Sequence, residues 1–453
     1  MSNTGMKPPE DASERIHALV HYEDDYVQPL LMAALKARLP PEIVHFVEVN
    51  TPESPLRDLP DGRLLQWRQY ESTDFDHVLS HTATSLANSY IIRKALIRKH
   101  YLSTTVAHWV AKHPSSLLKN HVKPAVEFEL DYAEFLDDAL DQAEAWELRE
   151  SWRRNESLED DAKVWWILKP GMSERGQGIR LFSSEEELQA IFEEWDPADS
   201  DDEAEEQPDD IEDSDQAGNS NGVQPNGVRT SHLRHFIAQP YIHPPLLLSQ
   251  PHPSADRKFH IRTYVLAAGA LRVCVCRRML ALFAAEYYVS PASDSASPNE
   301  DLSAHLTNTC LQSGEREGSV RDFWSLPSDI QSSTLDSSWK DNVFEQICAI
   351  TGEVFEAAAR GMSIHFQTLP NAFEIFGLDF LVDAEGTAWL LEVNAFPDFK
   401  QTGEKLQGVV KGLMEGVIDV AVAPFFGVEI QLKDGTNSDS ALMKVLDIDL
   451  GRR

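Results

Sequence analysis

The apolar positions of this chain fall into short runs of two periods. Near the start, His17-Ala-Leu-Val-His21 reads as a strand, residues 26–38 have helical spacing closed by Pro40-Pro41, and residues 43–49 form a second strand-like run. That β-α-β rhythm predicts a small α/β domain over residues 1–85. Residues 86–100 combine helical apolar spacing with a basic face, and residues 132–152 predict one long acidic helix. The rest is strand-rich: residues 164–168, 179–182, 236–239, 259–267, 271–276, 376–382 and 388–393. No internal repeat is visible. The expected class is α/β to α+β, with a mainly antiparallel C-terminal sheet. A central domain over 86–235, a C-terminal domain over 236–425 and an extension over 426–453 complete the expected division.

Composition narrows the class. With 453 residues, 42% of them hydrophobic, the chain has ample apolar mass for a core, so disorder of the whole chain is excluded. No uncharged apolar run reaches the roughly 18 residues a membrane-spanning helix needs, and no membrane partner is expected. The first residues, MSNTGMKPPEDASER, lack a basic n-region and an apolar h-region. Four cysteines in this length make no disulfide framework, and Cys274 and Cys276 lack the paired ligands of a zinc site. A reducing, cytoplasmic location is expected.

The net charge of −34 argues against nonspecific nucleic-acid binding, which needs a basic face. Half of that charge sits in one place, because residues 185–215 hold 17 acids and no Lys or Arg. Residues 196–228 are acidic, dotted with Pro, Gly, Asn and Ser, and almost free of large apolar side chains. Such a segment does not bury enough surface to offset its chain entropy, and it reads as a disordered insertion within the central domain. Residues 290–299 and 313–340 read as longer loops on the same grounds.

Three motifs carry candidate chemistry. In VWWILKPGMSERGQGIRLF, a strand ends at Lys169 and a loop with Gly171, Ser173, Gly176 and Gly178 follows before a second strand. Glycines let backbone N–H groups approach an anion closely, and the lysine adds a point charge. The absence of a helix-opening Lys-Ser/Thr excludes the usual phosphate loop and favours a hairpin lying over phosphates. In Arg257-Lys-Phe-His-Ile-Arg-Thr-Tyr264, a period of two puts Lys258, His260, Arg262 and Tyr264 on one strand face. Cations crowded on one face imply an anion there. In the third, an apolar strand through Asp379 and another through Glu392 and Asn394 flank Asp383-Ala-Glu-Gly386. A two-residue loop at Glu385-Gly386 places Asp379 opposite Glu392, with Asn394 on the same face. Facing carboxylates repel, a divalent cation removes the repulsion, and these oxygens suit magnesium bridged to phosphates. Together the motifs describe a site for a nucleoside triphosphate with Mg2+.

The ordered set Trp166-Ile-Leu-Lys-Pro170 with Gly176-Gln-Gly178, Phe236-Ile-Ala-Gln-Pro-Tyr-Ile242 with Pro245-Leu-Leu-Leu248, Lys258-Phe-His-Ile-Arg262, His305-Leu-Thr-Asn308, Phe376-Gly-Leu-Asp379-Phe and Leu391-Glu-Val-Asn394 resembles the tubulin tyrosine ligase family over roughly residues 85–425. The resemblance implies an ATP-grasp fold: a small N-terminal domain, a central phosphate-hairpin domain and the C-terminal sheet. It implies that Lys169, Lys258 and Lys94 contact ATP, with Ser173, Gly176 and Gly178 in the hairpin. Gln239, Pro240 and Ile242 would form the hinge that reads adenine, and Asp379, Glu392 and Asn394 would hold magnesium. Arg262 would meet the acceptor or amino-acid carboxylate, and Thr307 and Asn308 would line the amino-acid and phosphate side.

Two positions depart from the family pattern. His260 stands where an Asp is usual, and Leu282 where an arginine is expected. Both lie in the substrate half. The activity implied is an ADP-forming carboxylate–amine ligase that adds tyrosine to the C-terminal carboxylate of α-tubulin, with the α-tubulin tail and a free amino acid as partners. The competing readings are the same chemistry on a non-tubulin acceptor, which His260 and Leu282 favour, and an ATP-binding interaction module with little turnover.

Overall fold

The computed structural model describes residues 15–47, 62–171, 177–195, 235–292, 302–307, 319–330, 335–403, 405–430 and 442–451. Two compact units emerge. One comprises Met1–Lys123, Ile242–Val289 and Ser303–Arg453; the other comprises Pro124–Tyr241 and Ser290–Leu302. The expected acidic insertion at 196–228 lies outside the described residues.

The first unit begins with a parallel sheet of β1 (Ile16–His21), β2 (Val44–Phe46), β3 (Arg63–Arg68) and β4 (Ser85–Ala87), in the order β2-β1-β3-β4. The helix Val27–Arg38 crosses between β1 and β2, as the β-α-β rhythm predicts. This sheet does not close on a core of its own. Ile16, Ala18 and Trp67 share one apolar cluster with Tyr264, Leu266, Val409 and Leu413 from far along the chain. A separate domain over residues 1–85 is therefore replaced by one body with the C-terminal part, because all four strands of the sheet span only about ten to twenty Å and bury too little alone.

The second unit carries an antiparallel sheet of β5 (Val126–Glu129), β6 (Trp166–Pro170), β7 (Arg180–Phe182) and β8 (His235–Pro240), in the order β5-β8-β6-β7. Its core is aromatic, with Phe128, Trp152, Phe182, Phe192, Trp195 and Phe236 in one cluster. The predicted long helix over 132–152 is broken: helix Leu136–Gln142 ends, Glu144 turns at φ 51°, and helix Trp146–Asn155 follows. Leu136, Leu140, Leu148 and Trp152 keep the helical apolar spacing across the break, which is why the pattern read as continuous.

The remaining strands of the first unit form one antiparallel sheet: β9 (Phe259–Ala268), β10 (Arg272–Cys276), β11 (Leu280–Phe283), β12 (Val320–Asp322), β13 (Phe373–Val382), β14 (Ala388–Ala395) and β15 (Leu442–Asp447). β9 is central, paired with β13 along one edge and with β10 and β11 along the other. The expected extension at 426–453 supplies β15, which pairs with β10. Within the expected loop at 313–340 the described part contains β12 and the start of the helix Trp339–Gly361. That 23-residue helix buries Val343, Phe344, Ile347, Ile350, Val354 and Phe355 against Ile261, Val265, Phe376 and Leu378. The predicted helix at 86–100 resolves into β4, a short helix Lys94–Ile97, an extended Arg98 and the helix Lys99–Lys112.

Cys274 and Cys276 lie in the apolar core, and burial pushes both thiols up to about 11. Among the described residues no helix is long and apolar enough to cross a membrane. The turn between β13 and β14 is held firmly. Asp383 accepts from the N–H groups of Glu385 and Thr387 and from the Trp389 indole, while Gln346 bridges the Gly386 carbonyl and the Ala388 N–H. Gly386 sits at φ 87°, and a methyl group there would run into the Leu335 side chain. Gly386→Ala is expected to lower stability by about 1–2 kcal/mol in urea unfolding. An unchanged midpoint would show that the turn relaxes freely.

Candidate active site

Alternation along β9 sends Phe259 and Ile261 into the core beneath the sheet and leaves Lys258, His260 and Arg262 on the opposite face, all buried. β13 runs beside it with Asp379 directly opposite Arg262. The guanidinium forks onto the carboxylate: Nε donates to Oδ1 at 2.5 Å and Nη2 to Oδ2 at 2.9 Å. Gly377, one rung along, makes room for this pair. A Cβ there would stand 3.3 Å from Arg262 Cδ and 2.8 Å from Pro397 Cβ. The anion implied by the cationic face is thus supplied in part by the protein itself. Burial alone would raise the Asp379 carboxyl, but Arg262 and then His260 reverse this and hold it well below the usual carboxylate range.

On its other side β13 pairs with β14, and Asp379 faces Glu392. The route to that register differs from the expected one. Val382 pairs with Ala388, so the loop is longer than Glu385-Gly386, and a bulge after Asp379 then shifts the pairing back by one residue. Glu392 accepts from Asn394 Nδ2 at 3.0 Å and has Lys99 Nζ 3.8 Å away. Repulsion between the two carboxylates is therefore already offset by Arg262 and Lys99, and charge balance alone does not demand a cation. The donor set still fits a hard one. Glu392 is about a third exposed, Asn394 brings an amide oxygen beside it, and Asp379 would share its oxygens with Arg262. Among the described residues no group of three or more His, Cys, Asp or Glu side chains forms a metal cluster, which leaves the amide as the third donor.

Thr307 joins this face through its hydroxyl, which is hydrogen-bonded to His260 Nδ1. His260 and Leu282, the two departures from the family pattern, prove to be cross-strand partners on β9 and β11. Lys94 opens the helix Lys94–Ile97. The residue before it, Arg93, stacks 3.7 Å over the Tyr70 ring and places Nε 2.9 Å from Glu374 on β13. Arg93 and Lys99 are read from the sequence only as part of a basic groove with Lys94 and Arg98, and Glu374 is not among the site partners read there. The only local signal for Glu374 was an acid at a core position of an apolar strand.

Glu374 also accepts from the Tyr90 N–H and the Ser89 hydroxyl. Burial pushes its carboxyl up to about 7 against the pull of Arg93 and these donors, from 4.5 in the unfolded chain. A raised carboxyl contributes stability that is fully present below about 4.5 and is lost as pH rises through about 7. Between about pH 5 and pH 8 the wild type should lose about 2–3 kcal/mol relative to Glu374→Gln, which has no titrating group. Parallel stability profiles for the two proteins would contradict this.

In the second unit, Lys169 on β6 donates to the Gln239 side chain on β8 at 2.9 Å. Gly178 sits at φ 70° just before β7, a backbone conformation suited to glycine. Pro240 ends β8 opposite Trp166. Ile242 is the first residue of the next stretch of the first unit, so the Gln239–Pro240–Ile242 stretch spans the junction in the chain. Ser173, Gly176 and Asn308 lie outside the described residues.

Comparison with known proteins gives this arrangement its family. The profile of the tubulin-tyrosine ligase family matches residues 87–430. The chain belongs to the tubulin-tyrosine ligase family. It is 44% identical over 434 residues to a probable tubulin–tyrosine ligase of Schizosaccharomyces pombe, covering 96% of this chain and 97% of that one. It is also 44% identical over 431 residues to the probable tubulin–tyrosine ligase PBY1 of Saccharomyces cerevisiae, covering 93% of this chain but 54% of that protein. The crystal structure of the C-terminal domain of K. lactis Pby1, an ATP-grasp enzyme interacting with the mRNA decapping enzyme Dcp2, superposes with a TM-score of 0.65 at 36% identity, covering 96% of this chain and 99% of that one. The fold of this family member is accordingly ATP-grasp, with mixed helices and sheets.

Proposed function

We propose that the chain is an ATP- and Mg2+-dependent carboxylate–amine ligase, with the C-terminal carboxylate of α-tubulin as acceptor and tyrosine as the incoming amine. One observation carries the reading. A charged rung, Arg262–Asp379–Glu392, with Arg262 and Asp379 buried, lies on the same face as Lys258 and Thr307, at the positions where the family motifs fall. Bound magnesium would supply charge neutralisation at the phosphates, held by Asp379, Glu392 and Asn394. Lys258 would hold phosphate oxygens, a role the family motif also gives Lys169, and the fork on Asp379 keeps Arg262 fixed for a substrate carboxylate.

In the reaction the acceptor carboxylate attacks the γ-phosphorus of ATP, giving an acyl phosphate and ADP. The amine then attacks the acyl carbon; the C–N bond forms, the C–O bond to phosphate breaks, and the amine loses a proton. Positioning and charge stabilisation suffice for both steps, and no covalent protein nucleophile is required.

A non-tubulin acceptor is the second reading, and two observations favour it. His260 and Leu282, which stand where the family pattern has Asp and Arg, occupy one rung of the substrate half. The K. lactis relative interacts with a decapping enzyme. The test is ADP release by the purified chain with detyrosinated tubulin, with tyrosine, and with both. Stimulation by the pair alone supports the first reading. Stimulation only by cell extract with a labelled amino acid supports the second. Bound ATP with no turnover under any acceptor would sink both.

A further inference from the structure

His260 is a polar side chain of the charged face to which the ligase reading gives no role. Its cross-strand neighbours are Leu282 on β11 and Leu381 on β13, both buried. The imidazole is thus set into an apolar rung immediately beside the Arg262–Asp379–Glu392 rung. A buried imidazole in such a place costs free energy unless its nitrogens find partners. Nδ1 has one in the Thr307 hydroxyl. Nε2 lies 3.5 Å from Asp379 Oδ1 and makes no hydrogen bond among the described residues.

The Nδ1 bond joins the central strand to residues 302–307, a segment without regular secondary structure. Two further contacts fix that segment nearer its start. The Glu286 N–H donates to the Ser303 carbonyl at 3.4 Å, and the His305 ring stands edge-on to Tyr288 at 5.9 Å. Thr307 is the point at which the segment meets β9, and His260 is the residue it meets there.

We propose that His260 is a positioning residue that seats residues 302–307 on β9 through Thr307 and thereby sets binding of the second substrate. The inference rests on the ligase reading, in which Thr307 lines the amino-acid side. It assigns the two nitrogens different work: Nδ1 positions the segment, and Nε2 does not. Side chains that mimic one nitrogen at a time separate the two. The Asn amide reaches the Nδ1 position, the Gln amide reaches the Nε2 position, and Leu fills the space between Leu282 and Leu381 with neither.

The experiment uses the full chain with saturating ATP and follows incorporation of a labelled amino acid into cell extract, with ATP affinity measured separately. His260→Leu and His260→Gln are expected to raise KM for the amino acid about tenfold, the scale of one lost hydrogen bond, with a smaller change in kcat and in ATP affinity. His260→Asn should stay within about threefold of the wild type. Thr307→Val should also raise KM, and the double variant His260→Leu/Thr307→Val should be no worse than the poorer single one, because both remove the same bond. An unchanged KM in His260→Leu, an Asn variant as impaired as the Leu variant, or effects that multiply in the double variant would overturn the proposal. Failure of the wild type to bind ATP would instead overturn the ligase reading.

Discussion

Arg262→Met is expected to lower the unfolding free energy by about 3–5 kcal/mol at neutral pH, and Arg262→Met/Asp379→Leu to recover most of it. The reason is the burial of both partners. Arg262 and Asp379 face each other on adjacent central strands, and the guanidinium satisfies both carboxylate oxygens. Removing only the cation leaves a desolvated carboxylate with His260 Nε2 3.5 Å away and the Glu392 carboxylate facing it on the next strand. Replacing both charges with apolar groups of similar volume removes the penalty together with the pair. Because Asp379 is held below the usual carboxylate range, its contribution is present above its unfolded value of 3.8 and is lost only as pH falls through the lower folded value. The cost of Arg262→Met should accordingly shrink in strong acid. Urea unfolding of the two variants checks this, and a single variant as stable as the wild type would contradict it. Neither variant should turn over ATP.

Glu392→Ala should reduce ATP turnover on the order of a thousandfold while leaving stability within about 1 kcal/mol. Glu392 is partly exposed, and its contacts are one amide hydrogen bond and a 3.8 Å approach of Lys99, so little of the fold depends on it. Asp379→Ala removes turnover as well, but it strands Arg262 in the core and confounds the two effects. The informative pairing is therefore ADP release and thermal unfolding on Glu392→Ala, together with the magnesium concentration needed for half-maximal rate. Unchanged turnover would end the assignment of Glu392 to the metal.

Local pattern carried much of the sheet. The alternation over residues 259–267 places Lys258, His260 and Arg262 on one face, and the face is as read. Asp379 opposite Glu392 was also legible, although a longer loop and a bulge reach that register by two compensating one-residue steps. The helix Trp339–Gly361 was not read, even though its apolar residues recur at three and four; the polar run before it obscured its start. The helix Gln407–Val417 was missed as well. Its glycines, Gly408, Gly412 and Gly416, weaken helix propensity, and tertiary burial of Val409, Leu413 and Val417 overrides them.

By itself the sequence determined which residues share a strand face, because that follows from a period of two, whereas the meeting of Asp379 with Glu392 also depends on a longer loop and a bulge that local pattern does not show. It also carried six ordered motifs whose family the comparisons bear out. Only the tertiary structure decided what stands opposite those groups. Arg262 reaches Asp379 across 117 residues of chain, and His260 meets Leu282 and Thr307 from separate segments. Such pairings depend on the register of strands and segments distant in sequence. That register is fixed by how whole faces pack, and no local spacing encodes it.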